Sequence, residues 1–271
     1  MDAHKFEYLL KTSALYFPRA DSLLGFDAKE GALTNRMLEF VDDNFTLKFV
    51  GDLKRNNAQS LGGIQIVGRG RLEVRNQIRA YVRMHYAFML KRTYVNCWHV
   101  NADENYLMWE SYVRQKPGVA IRSTVGQLES ALSHDTSEVF AASIDYVDHD
   151  TAPLDFNRLT GGMSQIVMDM ITKKRKPFKN ESELRLVVDT LTEDEKWAKG
   201  LYLVPKGQHI HKDNPTLFLE IPVDLGQLIN QVVLQPDSDW EFQKKIRAII
   251  LENTPSGSSY DFSKIVAKSK I

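Results

Sequence analysis

The chain has 271 residues, 43% of them hydrophobic and 26% charged, which suits a globular protein that buries a sizeable core. Its 35 basic and 35 acidic residues cancel, so no global field draws it to nucleic acid or to an anionic membrane; such a contact must come from local segregation of charge. The single cysteine, Cys97, excludes an intramolecular disulfide, no apolar run is long enough to span a bilayer, and the acid-bearing start MDAHKFEYLLKTSALYF lacks a secretory pattern, so a reducing, cytoplasmic location is expected.

Residues 3–12 predict a short helix with Phe6, Leu9 and Leu10 on one face, and LYF (15–17) a buried strand closed by Pro18. The loop RADSLLGFDAKEGALT then carries Arg19, Asp21, Asp27 and Glu30 between turn residues, where acids hold a ligand or, more commonly, cap the next helix. NRMLEFVDDNFTLKFV (35–50) suits a helix followed by a strand, and GDLKRNNAQSLGG a loop. The glycines Gly62, Gly63, Gly68 and Gly70 form neither a dinucleotide-binding nor a Walker pattern, so no phosphate cradle is assigned.

From Arg71 to Arg92 the period is helical. Arg71, Arg75, Arg79 and Arg83 recur every four residues as one basic stripe, while Val74, Ile78, Tyr81, Val82 and His85 face inward. Four arginines on one face grip phosphates or an acidic partner, or they form a solvated face balanced by neighbouring acids.

The stretch Tyr94–Arg122 is the densest in chemistry. It predicts a strand (YVNCWHV), a polar turn (NADEN), a short helix (YLMWESYV) and a second strand (GVAIR). Trp98, Trp109, Tyr112, His99 and Cys97 all fall within it, which suits a pocket wall or a well-packed β-α-β corner. VGQLESAL (125–132) predicts a helix, EVFAASIDYVD (138–148) a strand, and 155–172 a helix with Met163, Ile166, Val167, Met170 and Ile171 on its apolar face. Lys173, Lys174, Arg175 and Lys176 at its end complement the helix dipole.

In PFKNESELRLVVDT, strand alternation places Glu181 and Glu183 on one face, with Ser182 and Leu184 on the other. Like charges this close raise each other's pKa and serve in acid–base or cation-stabilising work; the alternative pairs them with Lys179, Arg185 or the preceding basic cluster. TEDEKWAKG (192–200) is a charged helix or loop, and LYLVP a strand. His209 and His211 stand at ligand spacing without a matching set nearby, so no metal is expected. LFLEIPVDL predicts a strand, DLGQLINQ a short helix capped by Asp224, VVLQP a strand and WEFQKKIRAIILEN a terminal helix, followed by a polar tail over 255–271 with one apolar triplet.

CWHVNADENYLMWESY followed by GVAIRST, with KRKPFKNESELR, LYFPRADSLLGFDAKEG and IPVDLGQLINQVVLQP, resembles the bacterial domain-of-unknown-function family numbered twenty-nine seventy-one. The resemblance covers nearly the whole chain and implies one domain over 1–271. Relatives often carry an Asp-Pro pair ahead of the Glu-Gly, where this chain has GFDAKEG, a departure that reshapes the loop.

The motif order is also similar to that of ADP-ribosyltransferases. That likeness implies an α+β fold, a single mixed domain with a bent, largely antiparallel sheet flanked by helices, and NAD as substrate in a toxin or antiphage effector. Glu183 would then stabilise the oxocarbenium ion and Glu181 would orient or deprotonate the acceptor. Trp98, His99, Trp109 and Tyr112 would line the nicotinamide site, and Arg19 or an arginine of the stripe would hold pyrophosphate. Two other readings stand beside it. One is a non-catalytic module binding a nucleotide, nucleic acid or acidic protein through the Arg71–Arg83 face, with Glu181, Glu183 and Arg185 as a structural ion network. The other is a nuclease holding Mg²⁺ with Asp21, Asp27, Glu30, Glu181 and Glu183 beside Lys176.

Overall fold

The computed structural model describes residues 1–41, 60–61, 64–65, 71–113, 117–133, 138–152, 163–190, 214–253 and 266–269. The expected strand over 42–50, the loop over 51–59, the segments 192–200 and 201–205, and His209 and His211 lie outside the described residues. The strands are β1 (Ala14–Pro18), β2 (Ser60–Leu61), β3 (Ile64–Gln65), β4 (Thr93–His99), β5 (Val119–Arg122), β6 (Val139–Ser143), β7 (Asp145–Val147), β8 (Lys173–Arg175), β9 (Glu183–Asp189), β10 (Phe218–Pro222), β11 (Gln231–Leu234) and β12 (Val266–Lys268). The fold class is α+β, as the sequence predicts. Among the described residues the strands form several small sheets, in which antiparallel pairing predominates.

The chain divides into two compact units, Met1–Phe17 with Val100–Ser137 and Glu220–Ile271, and Pro18–His99 with Glu138–Leu219. In the first unit, helix Ala3–Thr12 buries Phe6, Leu9 and Leu10, and Asp2 caps it by accepting from the Lys5 N–H. It packs on helix Trp240–Asn253, whose inward residues include Phe242, Ile246, Ile249 and Ile250. The unit's sheet runs β12-β11-β5, with β11 parallel to β12 and antiparallel to β5. The apolar triplet of the polar tail therefore supplies Val266 and Ala267 to a strand. Helix Tyr106–Val113 buries Trp109 and Val113 against Val233 and Ala120. Gly118 is required where it stands, because a Cβ would collide with Val113 and the Met1 carbonyl.

Helix Val125–Leu132 opens with a capping box: the Thr124 hydroxyl accepts from the Gln127 N–H at 3.2 Å, and the Gln127 side chain accepts from the Thr124 N–H at 3.1 Å. Thr124→Ala removes one half of this exchange, and a loss of about 1 kcal/mol in denaturant unfolding is expected. No measurable loss would show that the frayed first turn is already solvated.

The second unit is organised on β9, the centre of the antiparallel sheet β4-β9-β6. Leu186, Val187 and Val188 are buried there with Tyr94 and Val95 of β4. Helix Arg71–Leu90 buries Tyr86, Phe88, Met89 and Leu90 at its C-terminal end, and helix Met163–Ile171 buries Val167, Met170 and Ile171. The side chains of Met163 and Ile166, and of Val74, Ile78, Tyr81, Val82 and His85, lie outside the described residues.

Two expectations are corrected here. The stretch Tyr94–Arg122 is not one β-α-β corner. Its first strand, β4, pairs with β9 in the second unit, while its helix and second strand belong to the first unit. The strand expected over 138–148 is two strands. The Ile144 N–H donates to the Glu183 carbonyl, and the chain then leaves β9 for a parallel pairing of β7 with β8.

Candidate functional site

Strand β9 begins with Glu183, and its antiparallel register sets Glu183 opposite His99 and Arg185 opposite Cys97. Residues directly opposite share a face, so Glu183, Arg185, Cys97 and His99 project from one side of the sheet. Trp98, opposite Leu184, projects from the other, where its indole N–H donates to Asn96 Oδ1 at 2.6 Å.

The expected strand through Glu181 stops short. Lys176–Glu181 is a 3-10 turn with Pro177 in its first positions, and Ser182 closes it in the left-handed region at φ 40°. A non-glycine residue there costs about 1 kcal/mol and persists only where neighbours hold it. What holds it is the convergence of side chains on Lys174. The Lys174 ammonium donates to Glu181, to Glu183 Oε2 at 3.0 Å, and lies 3.6 Å from Glu30 Oε1. Strand alternation therefore predicted the right neighbourhood for the two glutamates, and a turn delivers it.

Arg185 completes the cluster from beneath. Its side chain is 0% exposed. Nε donates to Glu183 Oε1 at 2.6 Å, one terminal nitrogen donates to the Ile171 carbonyl, and the other to Glu30. The guanidinium fork suits this work, since its planar N–H groups point in fixed directions at two carboxylates and a carbonyl. Beside it, Arg175 Nε donates to Asp27 Oδ2 at 2.8 Å, and Phe178 lies beneath the cations of Lys174 and Arg175.

In their ionised forms, Glu30, Glu181 and Glu183 give three negative charges against two positive ones on Lys174 and Arg185. The protein resolves the excess unevenly. Burial works against charge on Glu183, but the charge and hydrogen bond of Arg185, followed by Lys174, hold its carboxyl at about 2. Burial dominates at Glu30, and with the Glu183 charge it raises that carboxyl above the ordinary value despite Arg185 and Lys174. Glu30 is thus the group prepared to take a proton, and Glu183 the one kept anionic.

Cys97 is exposed along the edge of this face. Burial of the thiol, and after it the Glu183 charge, raises its pKa to about 12. A thiol shifted this way is a poor nucleophile. The Tyr146 hydroxyl accepts from the Glu183 N–H at 2.8 Å. His99 Nδ1 lies 2.5 Å from the Glu181 carbonyl, an acceptor only, so Nδ1 carries a proton and, in the neutral ring, Nε2 presents a lone pair. That Nε2 is buried and has no hydrogen-bond partner among the described residues.

The other residues expected in a site are placed as follows. Arg19 is bound on two nitrogens by Asp21, at 2.8 and 2.9 Å, and on a third by the Asn214 carbonyl at 2.6 Å. Trp109 is buried in the first unit and Tyr112 is exposed there, so neither is shown with Glu183. Along the arginine stripe, Arg83 is exposed, Arg75 and Arg79 are half-buried, and the Arg71 side chain lies outside the described residues. Of the acids proposed for Mg²⁺, Asp21 binds Arg19, Asp27 binds Arg175 and the three glutamates bind Lys174; Lys176 is exposed. In the sequence Lys174 itself reads as one of four basic residues that complement the helix dipole, a cluster that the alternative reading pairs with the two glutamates. Only the parallel pairing of β8 with β7 turns it inward, and nothing local announces that.

These features define an α+β protein whose second unit is centred on a closed carboxylate–cation cluster. Compared with family models, curated proteins and solved structures, the chain matches none, so its function is read from its own residues.

Proposed function

We propose that the chain is a non-catalytic binding module, with the cluster around Arg185 as the structural centre of its second unit. The observation that carries this reading is the state of Glu183. Its side chain is 3% exposed, with one oxygen on Arg185 and the other on Lys174. A carboxylate that stabilises a sugar cation must present an open face to it. This one is occupied by its own protein. Partner contact is assigned to the arginine face of helix Arg71–Leu90, where exposed Arg83 offers phosphate or carboxylate recognition to a nucleic acid or acidic protein.

The second reading, ADP-ribosyl transfer from NAD in a toxin or antiphage effector, is favoured by a different observation. Glu181 keeps 25% of its side chain exposed beside anionic Glu183, and the unmatched His99 lone pair lies on the same face. Glu183 would then supply charge, Glu181 would meet the acceptor, and His99 Nε2 would take a hydroxyl or amide donor.

One experiment separates them: NAD⁺ consumption by the purified full chain, alone and with cell lysate, beside Glu183→Gln checked for folding by circular dichroism. The module predicts no turnover and no NAD⁺-dependent rise in Tm. It also predicts retention of nucleic acid or an acidic protein that weakens with salt and with Arg83→Glu. Turnover by the wild type that a folded Glu183→Gln variant lacks would overturn it in favour of the transferase.

A further inference from the structure

His149 lies beyond any role in either reading. The residue is 6% exposed, and neither ring nitrogen has a hydrogen-bond partner among the described residues. Buried polar groups are nearly always paired, so an imidazole sealed without partners asks for an explanation. It stands in the turn after β7, against the loop that runs from Asp27 to Thr34. Lys29, Asp27 and Asp150 are the charged groups that act on it, and the Ala32 backbone approaches without hydrogen-bond geometry.

That loop delivers Glu30 to Arg185 and Lys174, and Asp27 to Arg175. Its direct polar ties to the turn that bears His149 are slight. Lys29 lies 3.8 Å from Asp150, and the Asn35 side chain donates to Asp150 at 2.9 Å; both contacts are exposed. The ion pairs of Glu30 and Asp27 anchor the loop, and over the ring itself the imidazole is buried without a hydrogen bond among the described residues.

We propose that His149 is a pH-sensitive latch: neutral, it seats the Asp27–Thr34 loop, and protonated, it lifts that loop and withdraws Glu30 and Asp27 from the cluster. Among the described residues a charged ring has no hydrogen-bonded acceptor, and the Ala32 backbone, which favours the charged form, is outweighed by burial. Asp27 is held by Arg175 and by the Lys29 N–H, and Asp150 by Asn35 and Lys29, whose own charge opposes the imidazolium. Lifting the loop brings water to the ring. The direction agrees with burial holding the imidazole's pKa below 6.5, so the latch works on the acid side of neutrality. The device stands whether the cluster is structural or catalytic.

Hydrogen exchange of the full chain at about pH 7.5 and about pH 5.5, corrected for intrinsic rates, tests it. Amides of 27–34 and of β8 are expected to lose protection by up to about tenfold in acid, the most a single imidazole supplies across this interval, while helix Trp240–Asn253 keeps its own. His149→Phe fills the pocket without titrating, and its loop protection is expected to be independent of pH. An equal acid response in wild type and His149→Phe, or loss of protection throughout both units, would overturn the latch. Should His149→Phe fail to fold, the wild type alone decides: the NMR titration midpoint of the His149 ring must coincide with the midpoint of loop opening, and a mismatch overturns the proposal.

Discussion

Arg185→Met is expected to destabilise the chain by about 3–5 kcal/mol, the largest single loss we anticipate. The methionine fills much of the space and can satisfy none of the acceptors. Glu183 and Glu30, both nearly sealed from water, would face each other with only Lys174 between them, and the Ile171 carbonyl would lose its donor. The cost comes from stranding these groups, not from the intrinsic strength of the ion pairs, because an intact buried pair roughly balances its own desolvation. Two further variants separate these contributions. Arg185→Lys keeps the charge and loses the fork, and a loss of about 2 kcal/mol is expected. Adding Glu30→Gln and Glu183→Gln to Arg185→Met removes the stranded charges and should recover a good part of the deficit. Urea unfolding at neutral pH measures all three. An Arg185→Met midpoint indistinguishable from wild type would mean that water reaches the cluster freely and that its burial is nominal.

The parts of this structure that could be read in advance are those whose causes are local. Helix Trp240–Asn253 ends where its apolar period ends, helix Val125–Leu132 starts at the Thr124 cap, and helix Leu225–Leu228 at the Asp224 cap. The salt-bridge reading of Glu183 with Arg185 was available too, because alternate strand residues share a face. The same rule separates Trp98 from His99, so grouping both in one nicotinamide pocket ran against the period of the strand that carries them. What was not legible depends on partners far along the chain. Glu30 reaches Arg185 across 155 positions, and Arg175 reaches Asp27 across 148. The division of Tyr94–Arg122 between two units follows from β4 choosing β9 and β5 choosing β11, a selection that no window around Trp98 or Trp109 contains.

Acid should dismantle the second unit in an order set by these groups. A His whose folded pKa lies below 6.5 takes its proton more readily in the unfolded chain, so stability falls as pH drops below 6.5 on account of His149. Glu30 has the opposite sign: its raised carboxyl binds a proton sooner in the folded chain, so stability rises as pH falls through that value towards 4.5. Glu183, lowered from 4.5 to about 2, contributes stability that is complete above 4.5 and lost as pH falls towards about 2. Asp27, lowered by Arg175 and the Lys29 N–H despite its burial, acts in the same sense below 3.8. The Glu183 interval corresponds to a stability on the order of 3 kcal/mol, at about 1.4 kcal/mol per pH unit. Glu183→Gln should therefore be well below wild type in urea midpoint at about pH 7, and the gap should narrow as pH falls below 4.5 towards about 2, where the wild-type carboxyl takes its proton. A gap that stays constant across that range would mean that Glu183 is not held ionised by Arg185 and Lys174, and the account of the cluster as a closed ion network would fall with it.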